Sequence, residues 1–167
     1  MRIPIVDEND NLITHKDRKD RLPNEITRVA ALWVGGDDGD ILLAQRAFTK
    51  KDSPGLWGPA VAGSVEEGET YESNIIKEAE EEIGLKNFKF VLGPKIRRSG
   101  THQYFAQVFF TVISKDYKLV KQDSEVEEIR WFKKEEILSL IKEKPEIFLK
   151  NTENNINEFY KYYENQN

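Results

Sequence analysis

The 167-residue chain has no cysteine. That excludes disulfides, thiolate catalysis, Cys-ligated zinc and iron–sulfur chemistry together. Long apolar runs are missing too: none approaches the roughly 20 residues that a membrane helix needs. The opening stretch, MRIPIVDENDN, lacks the basic-then-apolar pattern of a secretory leader. These two absences set the expectation of a cytoplasmic location with no membrane partner. An excess of basic charge is also absent. Lys+Arg total 25 against 30 Asp+Glu, a formal net charge of -5. A long nucleic acid is bound mostly by phosphate neutralisation, so it is not an expected partner.

What is present is ordinary globular material. Hydrophobic residues make up 38% and charged residues 33% of the chain, too apolar for disorder. The length suits one domain over residues 1–167, with a polar N-terminal extension over 1–25. No internal repeat interrupts it.

Apolar patterning predicts the elements. Ile3–Val6 is a short apolar patch, Asp7–Asn11 a turn, and Leu12-Ile13 a short strand. Thr27–Val34 and Ile41–Gln45 flank the turn Gly35–Asp40 and read as a hairpin. Residues 46–58, RAFTKKDSPGLWG, form a basic loop, and Ala60–Ala62 a short extended piece. Further strands are expected at Phe88–Leu92, His102–Ile113 and Val126–Phe132. Glu69–Ile83 is the clearest helix, with Tyr71, Ile75, Ala79 and Ile83 every four residues, Ile76 beside them, and Gly84 placed to end it. Glu135–Lys144 reads as a second helix. Over 154–163, Ile156, Phe159, Tyr160 and Tyr163 share a helical face that is costly to leave exposed. Strands mixed with few helices make an α/β or α+β domain with a mixed sheet. Trp33, Trp57 and Trp131 read as packing, while Trp57, Phe48 and Tyr104 are also candidates to cover a pocket mouth.

The chemistry concentrates in residues 63–85, GSVEEGETYESNIIKEAEEEIGL. At helical spacing Glu78, Glu81 and Glu82 fall within an arc of about 100° that borders the apolar stripe, and Glu80 points away. Three carboxylates gathered there repel, and a cation offsets the repulsion. Oxygen ligands without His or Cys suit Mg²⁺, Mn²⁺ or Ca²⁺. Taken alone, the three glutamates fit a solvated acidic helix face better than a metal site.

The surrounding spacing resembles the Nudix box: Gly, five residues, Glu, seven residues, then Arg-Glu-apolar-x-Glu-Glu-x-Gly-apolar. Gly63, Glu69, Glu78, Ala79, Glu81, Glu82, Gly84 and Leu85 match it, and Lys77 stands where the family has Arg. The resemblance implies a Nudix-type α/β/α sandwich around a mixed β-sheet and cleavage of a diphosphate linkage with Mg²⁺, or Mn²⁺, as cofactor. By this resemblance Glu78, Glu81 and Glu82 hold the metal, joined by a backbone carbonyl of Ala62 or Gly63. Glu69 assists orientation, metal binding or substrate binding. Lys77 keeps the charge of the box arginine but loses its planar fork, so weaker preorganisation is expected. Divalent ions neutralise diphosphate oxygens and lower the pKa of bound water, and a carboxylate then takes the proton. Glu81 is the expected base, with Glu125 and Glu128 as alternatives, because some family members place the base on a late loop.

Residues 41–58, ILLAQRAFTKKDSPGLWG, resemble the isopentenyl-diphosphate isomerase branch of the same superfamily. There, the positions of Arg46 and Lys50 grip a diphosphate, for which a fork and a point charge are suited. Lys95, Arg97 and Arg98 form a second basic cluster. The isomerase itself is disfavoured. Its cysteine would fall near Ala60–Ala62, and its histidine-rich metal site has only His15 and His102 to draw on. The expected activity is therefore hydrolysis of a small nucleoside diphosphate derivative or other organic diphosphate. The rivals are an isomerase of isoprenoid diphosphates and a non-catalytic metal- or nucleotide-binding sensor. The loops around 14–28 and 93–103 carry leaving-group selection without a readable code, and a homodimer stays open.

Overall fold

A computed structural model describes residues 1–166. Its hub is β3 (Ile26–Gly36), buried on both sides. Ala30, Leu32 and Val34 face one layer, and Trp33 faces the other. Such a two-sided strand belongs at the centre of a sheet. It runs parallel to β8 (Gln103–Ile113) from Ile26↔Gln103 to Gly36↔Ile113. Its other edge is shared by three antiparallel partners. These are β1 (Arg2–Val6) through Val6↔Ile26, β6 (Val61–Ser64) over Val29–Leu32, and β4 (Ile41–Arg46) through Val34↔Leu42 and Gly35↔Ile41. Outside these, β2 (Leu12–Asp17) pairs β1, β7 (Val91–Arg98) pairs β8, and β5 (Trp57–Pro59) and β9 (Val126–Phe132) flank β4. The result is a nine-stranded mixed sheet.

Helices cover both faces. The stripe Ile75, Ala79 and Ile83 of α1 (Tyr71–Ile83) packs on Ala30, Leu32, Val34 and Phe109. On the opposite face, α2 (Lys134–Glu143) brings Ile137 and Ile141, and α3 (Thr152–Asn165) brings Ile156, Phe159 and Tyr160, against Trp33, Leu43 and Phe110. This is the α/β/α sandwich expected from the box. Among the described residues no helix is long and apolar enough to cross a membrane.

Four expectations need correction. The helix starts at Tyr71 rather than Glu69, because Thr70 caps it: its hydroxyl accepts from Ser73 N at 3.1 Å and Ser73 Oγ accepts from Thr70 N at 2.9 Å. Ile76 lies off the buried stripe, 48% exposed. The strand expected at Phe88–Leu92 is displaced to Val91–Arg98. Phe88 and Phe90 bury against the α1-side core as aromatic packing, Phe90 edge-on to Phe109 at 5.1 Å, without joining the ladder. The real strand is charged and lies at an edge, so it shows no apolar alternation. Likewise β2 runs on to Asp17, mostly exposed, where no periodicity betrays it. Boundary shifts of one or two residues elsewhere are ordinary.

Candidate functional site

The site is built where α1 crosses β6. Hydrogen bonding alternates along a strand: Val65 N donates to Arg28 O on β3, at 3.0 Å, whereas Ser64 O turns to α1 and accepts from Asn74 Nδ2 at 3.0 Å. Ala62 shares the outward phase of Ser64. Its N–H donates to Glu82 Oε2 at 3.1 Å, and its carbonyl lies on that same side of the strand. The carbonyl of Gly63 faces the ladder with β3 by the same alternation.

Glu82 is 8% exposed. Burial pushes its carboxyl up to about 8 against the bond from Ala62, with repulsion from Glu78 and Glu125 adding to the rise and the Lys50 ammonium opposing it. Glu78, one turn earlier, presses on the bare backbone of Gly63. A Cβ there would stand 2.3 Å from Glu78 Cγ and 2.6 Å from Oε1, so only glycine admits this carboxylate to its place. Burial raises the pKa of Glu78 as well; Lys77 opposes the rise and Glu81 adds to it. Its own contacts are long, 3.4 Å to Asn74 Nδ2 and 3.7 Å to Lys77 Nζ. Glu81, next on the helix, stands exposed.

Glu69 is in the opposite condition. Lys77 Nζ reaches its Oε1 at 2.6 Å, while Glu66 N at 2.9 Å and Asn74 Nδ2 at 2.8 Å share its Oε2. Burial alone would raise its pKa, but these partners outweigh it and hold the carboxyl below its ordinary value. Lys77 also meets Glu66 at 2.9 Å. Burial disfavours its charge, yet the bonds to Glu69 and Glu66 prevail and raise its pKa above that of an ordinary lysine. Lys77 thus ties the box loop to the helix as a point charge.

A cleft opens beside Glu82, lined by Ala44, Arg46, Ala60, Glu125 and Leu149 among others. Lys50 is ion-paired to Glu125, which lines it. The Arg46 fork is spent on the loop it opens, donating from Nε at 3.0 Å and Nη2 at 2.8 Å to Asp52 O. Of the two alternative bases, Glu125 lines this cleft, whereas Glu128 lies exposed on β9 and is not among the lining residues. Among the described residues no three acidic or histidine side chains stand together in metal-holding geometry. The structure brings Glu78, Glu82, Ala62, Lys50 and Glu125 to one place, and leaves Glu81 and Glu128 facing outward.

The remaining sequence candidates are engaged elsewhere. His102 bridges Arg21 and Asp52, with Nε2 3.3 Å from Asp52 Oδ1, and His15 pairs Glu67 at 3.3 Å. Lys95 is held by Asp10 at 2.6 Å and Arg97 by Glu8 at 3.0 Å. Trp33 and Trp57 are buried, while Phe48 is 64% exposed.

Two residues of the site escaped the sequence reading. Asn74 is fully buried and its amide joins Ser64, Glu69 and Glu78; its signal was a polar residue on the inward face, four before Glu78. Leu149 carries no local signal at all.

A model of the NUDIX domain matches residues 25–151. An isopentenyl-diphosphate Delta-isomerase of Salmonella heidelberg (strain SL476) is 37% identical over 54 residues, 32% of this chain and 30% of that protein. The match thus spans under a third of the relative's length. Among solved structures, DR0079 from Deinococcus radiodurans superposes with a TM-score of 0.80 at 22% identity, covering 96% of this chain and 99% of that one. A MutT protein from Methanosarcina mazei Go1 gives 0.68 at 20% identity, covering 86% and 99%. With its box on α1 and the sandwich around it, the chain belongs to the NUDIX domain family.

Proposed function

We propose that this chain, as one Nudix unit over residues 1–167, is a Mg²⁺-dependent hydrolase that cuts the diphosphate linkage of a small nucleoside diphosphate derivative or other organic diphosphate. One observation carries the reading. Glu82 is buried and Glu78 partly buried, and neither has a cation in close contact: the nearest to Glu78, Lys77 Nζ, stands 3.7 Å away and is held by Glu69 and Glu66, in a site whose neighbouring acid Glu69 is fully paired. Buried charge of one sign calls for a counter-ion, and an all-oxygen donor set suits Mg²⁺, with Mn²⁺ as an alternative.

Glu78, Glu82 and the Ala62 carbonyl would hold the ion, and Glu81 would join them by a change of rotamer. When bound, such an ion neutralises diphosphate oxygens and acidifies a water. The other roles fall to the chain. Lys50 exchanges Glu125 for a phosphate oxygen, and Arg46 fixes the loop that delivers Lys50. Glu125, once freed from Lys50, stands in the cleft as a base alongside Glu81. Glu69 serves as a brace for Lys77 rather than a substrate contact.

Product release from a panel of organic diphosphates with Mg²⁺ tests the reading, and Glu82→Gln and Glu78→Gln are each expected to abolish it. Wild-type turnover in both variants would refute it. An isomerase is the rival suggested by the curated relative. It has no thiol to use here, because Ala60 and Ala62 stand where that branch is expected to carry its cysteine. Deuterium entering isopentenyl diphosphate from heavy water would revive it.

A further inference from the structure

The cleft beside Glu82 is a small cavity of about 40 Å³ that opens to solvent on one side. Small residues line it, Ala44, Gly58 and Ala60, together with the charged side chains of Arg46, Glu82 and Glu125. The opposing wall is Leu149, delivered from the far end of the chain by the segment between α2 and α3. That wall is fixed by backbone bonds. Leu149 N donates to Trp57 O at 2.8 Å, and Leu149 O accepts from Thr152 N at 3.2 Å and Thr152 Oγ1 at 2.7 Å. The preceding Phe148 is buried and bridges Trp57 in parallel register. The leucine side chain then lies flat on Gly58, where a Cβ would come within 2.6 Å of its Cδ1.

Size decides what enters. A cavity of this volume takes about three water-sized groups, whereas pockets that enclose drug-sized organic ligands run to roughly 300–1,000 Å³. The three outer oxygens of a terminal phosphoryl group fit; a phosphorus esterified to a second sugar does not. The geometry points to Leu149 as a specificity-determining wall that restricts the substrate to organic diphosphates whose far phosphoryl group is unsubstituted. This rests on the diphosphatase reading above and sharpens it from a diphosphate of either kind to a diphosphate monoester. The organic end stays outside the cavity.

The reaction balances as a hydrolysis. The water oxygen bonds to the terminal phosphorus while the bridging P–O bond breaks, and its electron pair leaves on the bridging oxygen of the organic monophosphate. One proton of the water stays on orthophosphate, and the other passes to a cleft carboxylate and then to solvent.

The test compares the four common nucleoside 5′-diphosphates with the matching symmetrical dinucleoside diphosphates, each with Mg²⁺. The wild type is expected to favour the former by about 100-fold or more in kcat/KM. Leu149→Ala narrows that ratio by about tenfold, through gain on the dinucleoside compounds, and Leu149→Ile keeps it. Three results overturn the inference. Equal or better wild-type turnover of the dinucleoside compounds removes the size limit. A Leu149→Ala variant that slows both sets alike reduces Leu149 to a packing residue. Turnover of neither set overturns this inference, while the diphosphatase reading is judged separately by the wider panel of organic diphosphates.

Discussion

Glu82 makes the most exacting demand on the structure, because its burial should be measurable without any substrate. Burial pushes its carboxyl from the ordinary 4.5 up to about 8. Between those values the native state holds one more proton than the unfolded chain, so stability falls as pH rises, by about 1.4 kcal/mol per unit. From pH 5 to pH 8 the full effect is about 4 kcal/mol. Rotation of the carboxylate toward the cleft mouth relieves part of it, leaving about 2–4 kcal/mol, or roughly 4–16 °C in Tm for a chain of this size. Glu82→Gln keeps an acceptor for the Ala62 N–H and abolishes the ionisation. Urea unfolding in a chelator at several pH values should therefore show the variant matching the wild type at pH 5 and exceeding it at pH 8. Comparing the two proteins cancels every other titrating group. With Mg²⁺ the order reverses at pH 8, since only the wild type gains from the ion. Equal pH dependence of wild type and variant in chelator would refute both the burial and its consequence.

Other perturbations separate the site's parts. Gly63→Ala puts a methyl 2.3 Å from Glu78 Cγ, well inside van der Waals contact, and displaces it, so turnover should drop about 100-fold while urea unfolding registers a loss of about 1–3 kcal/mol. Lys77→Met leaves Glu66, Glu69 and Glu78 without their shared cation. A loss of about 1–3 kcal/mol is expected at pH 7, shrinking as pH falls below the ordinary 4.5 and Glu69, whose pKa Lys77 lowers, takes up its proton, measured by the same unfolding series. Asn74→Ala removes the amide that joins α1 to Ser64; about 2 kcal/mol of stability should go, and a Mg²⁺ titration of Tm should shift to higher concentration.

The sequence is most legible where one helix or strand carries its own pattern. The stripe of α1, the strand β9 and the nine fixed positions of the box can all be read locally, because their residues lie within a few turns or a single ladder. Legibility fails where an element is defined by its neighbours. Strand β7 is polar, sits at an edge and exists because β8 offers it a ladder; the apolar run just before it, Phe88 to Phe90, is the better strand on paper and packs as loose aromatics instead. The site shows the same division. Spacing predicts that Glu78, Glu81 and Glu82 share an arc, but not that Glu82 is buried beneath Ala62 while Glu81 faces water. That difference is set by β6, which lies outside the helix. Leu149 is harder still, since its place in the cleft depends on a bridge to Trp57, ninety residues and several elements away.

The substitution of Lys77 for the box arginine illustrates how such neighbours alter a local expectation. A lone ammonium cannot grip two carboxylates through a planar fork, and weaker order was expected from that fact. The structure divides the task. Lys77 supplies charge to Glu66 and Glu69, and the buried amide of Asn74 supplies the directional bonds, to Glu69 at 2.8 Å and Ser64 O at 3.0 Å. Between them they consume Glu69 completely and leave Glu78 nearly free. The acids of the box are thereby sorted into a paired set that holds the loop to the helix and a second set, buried Glu82 and partly buried Glu78, whose contacts are few or long and which a divalent ion would satisfy. If that sorting is real, replacing Lys77 by Arg adds little to stability, because Glu69 is already satisfied. It tightens the long pair that Lys77 makes with Glu78, at 3.7 Å, and so weakens Mg²⁺ binding. If Lys77 is merely a poor arginine, the same replacement strengthens Mg²⁺ binding, and a calorimetric titration of the two proteins distinguishes the outcomes.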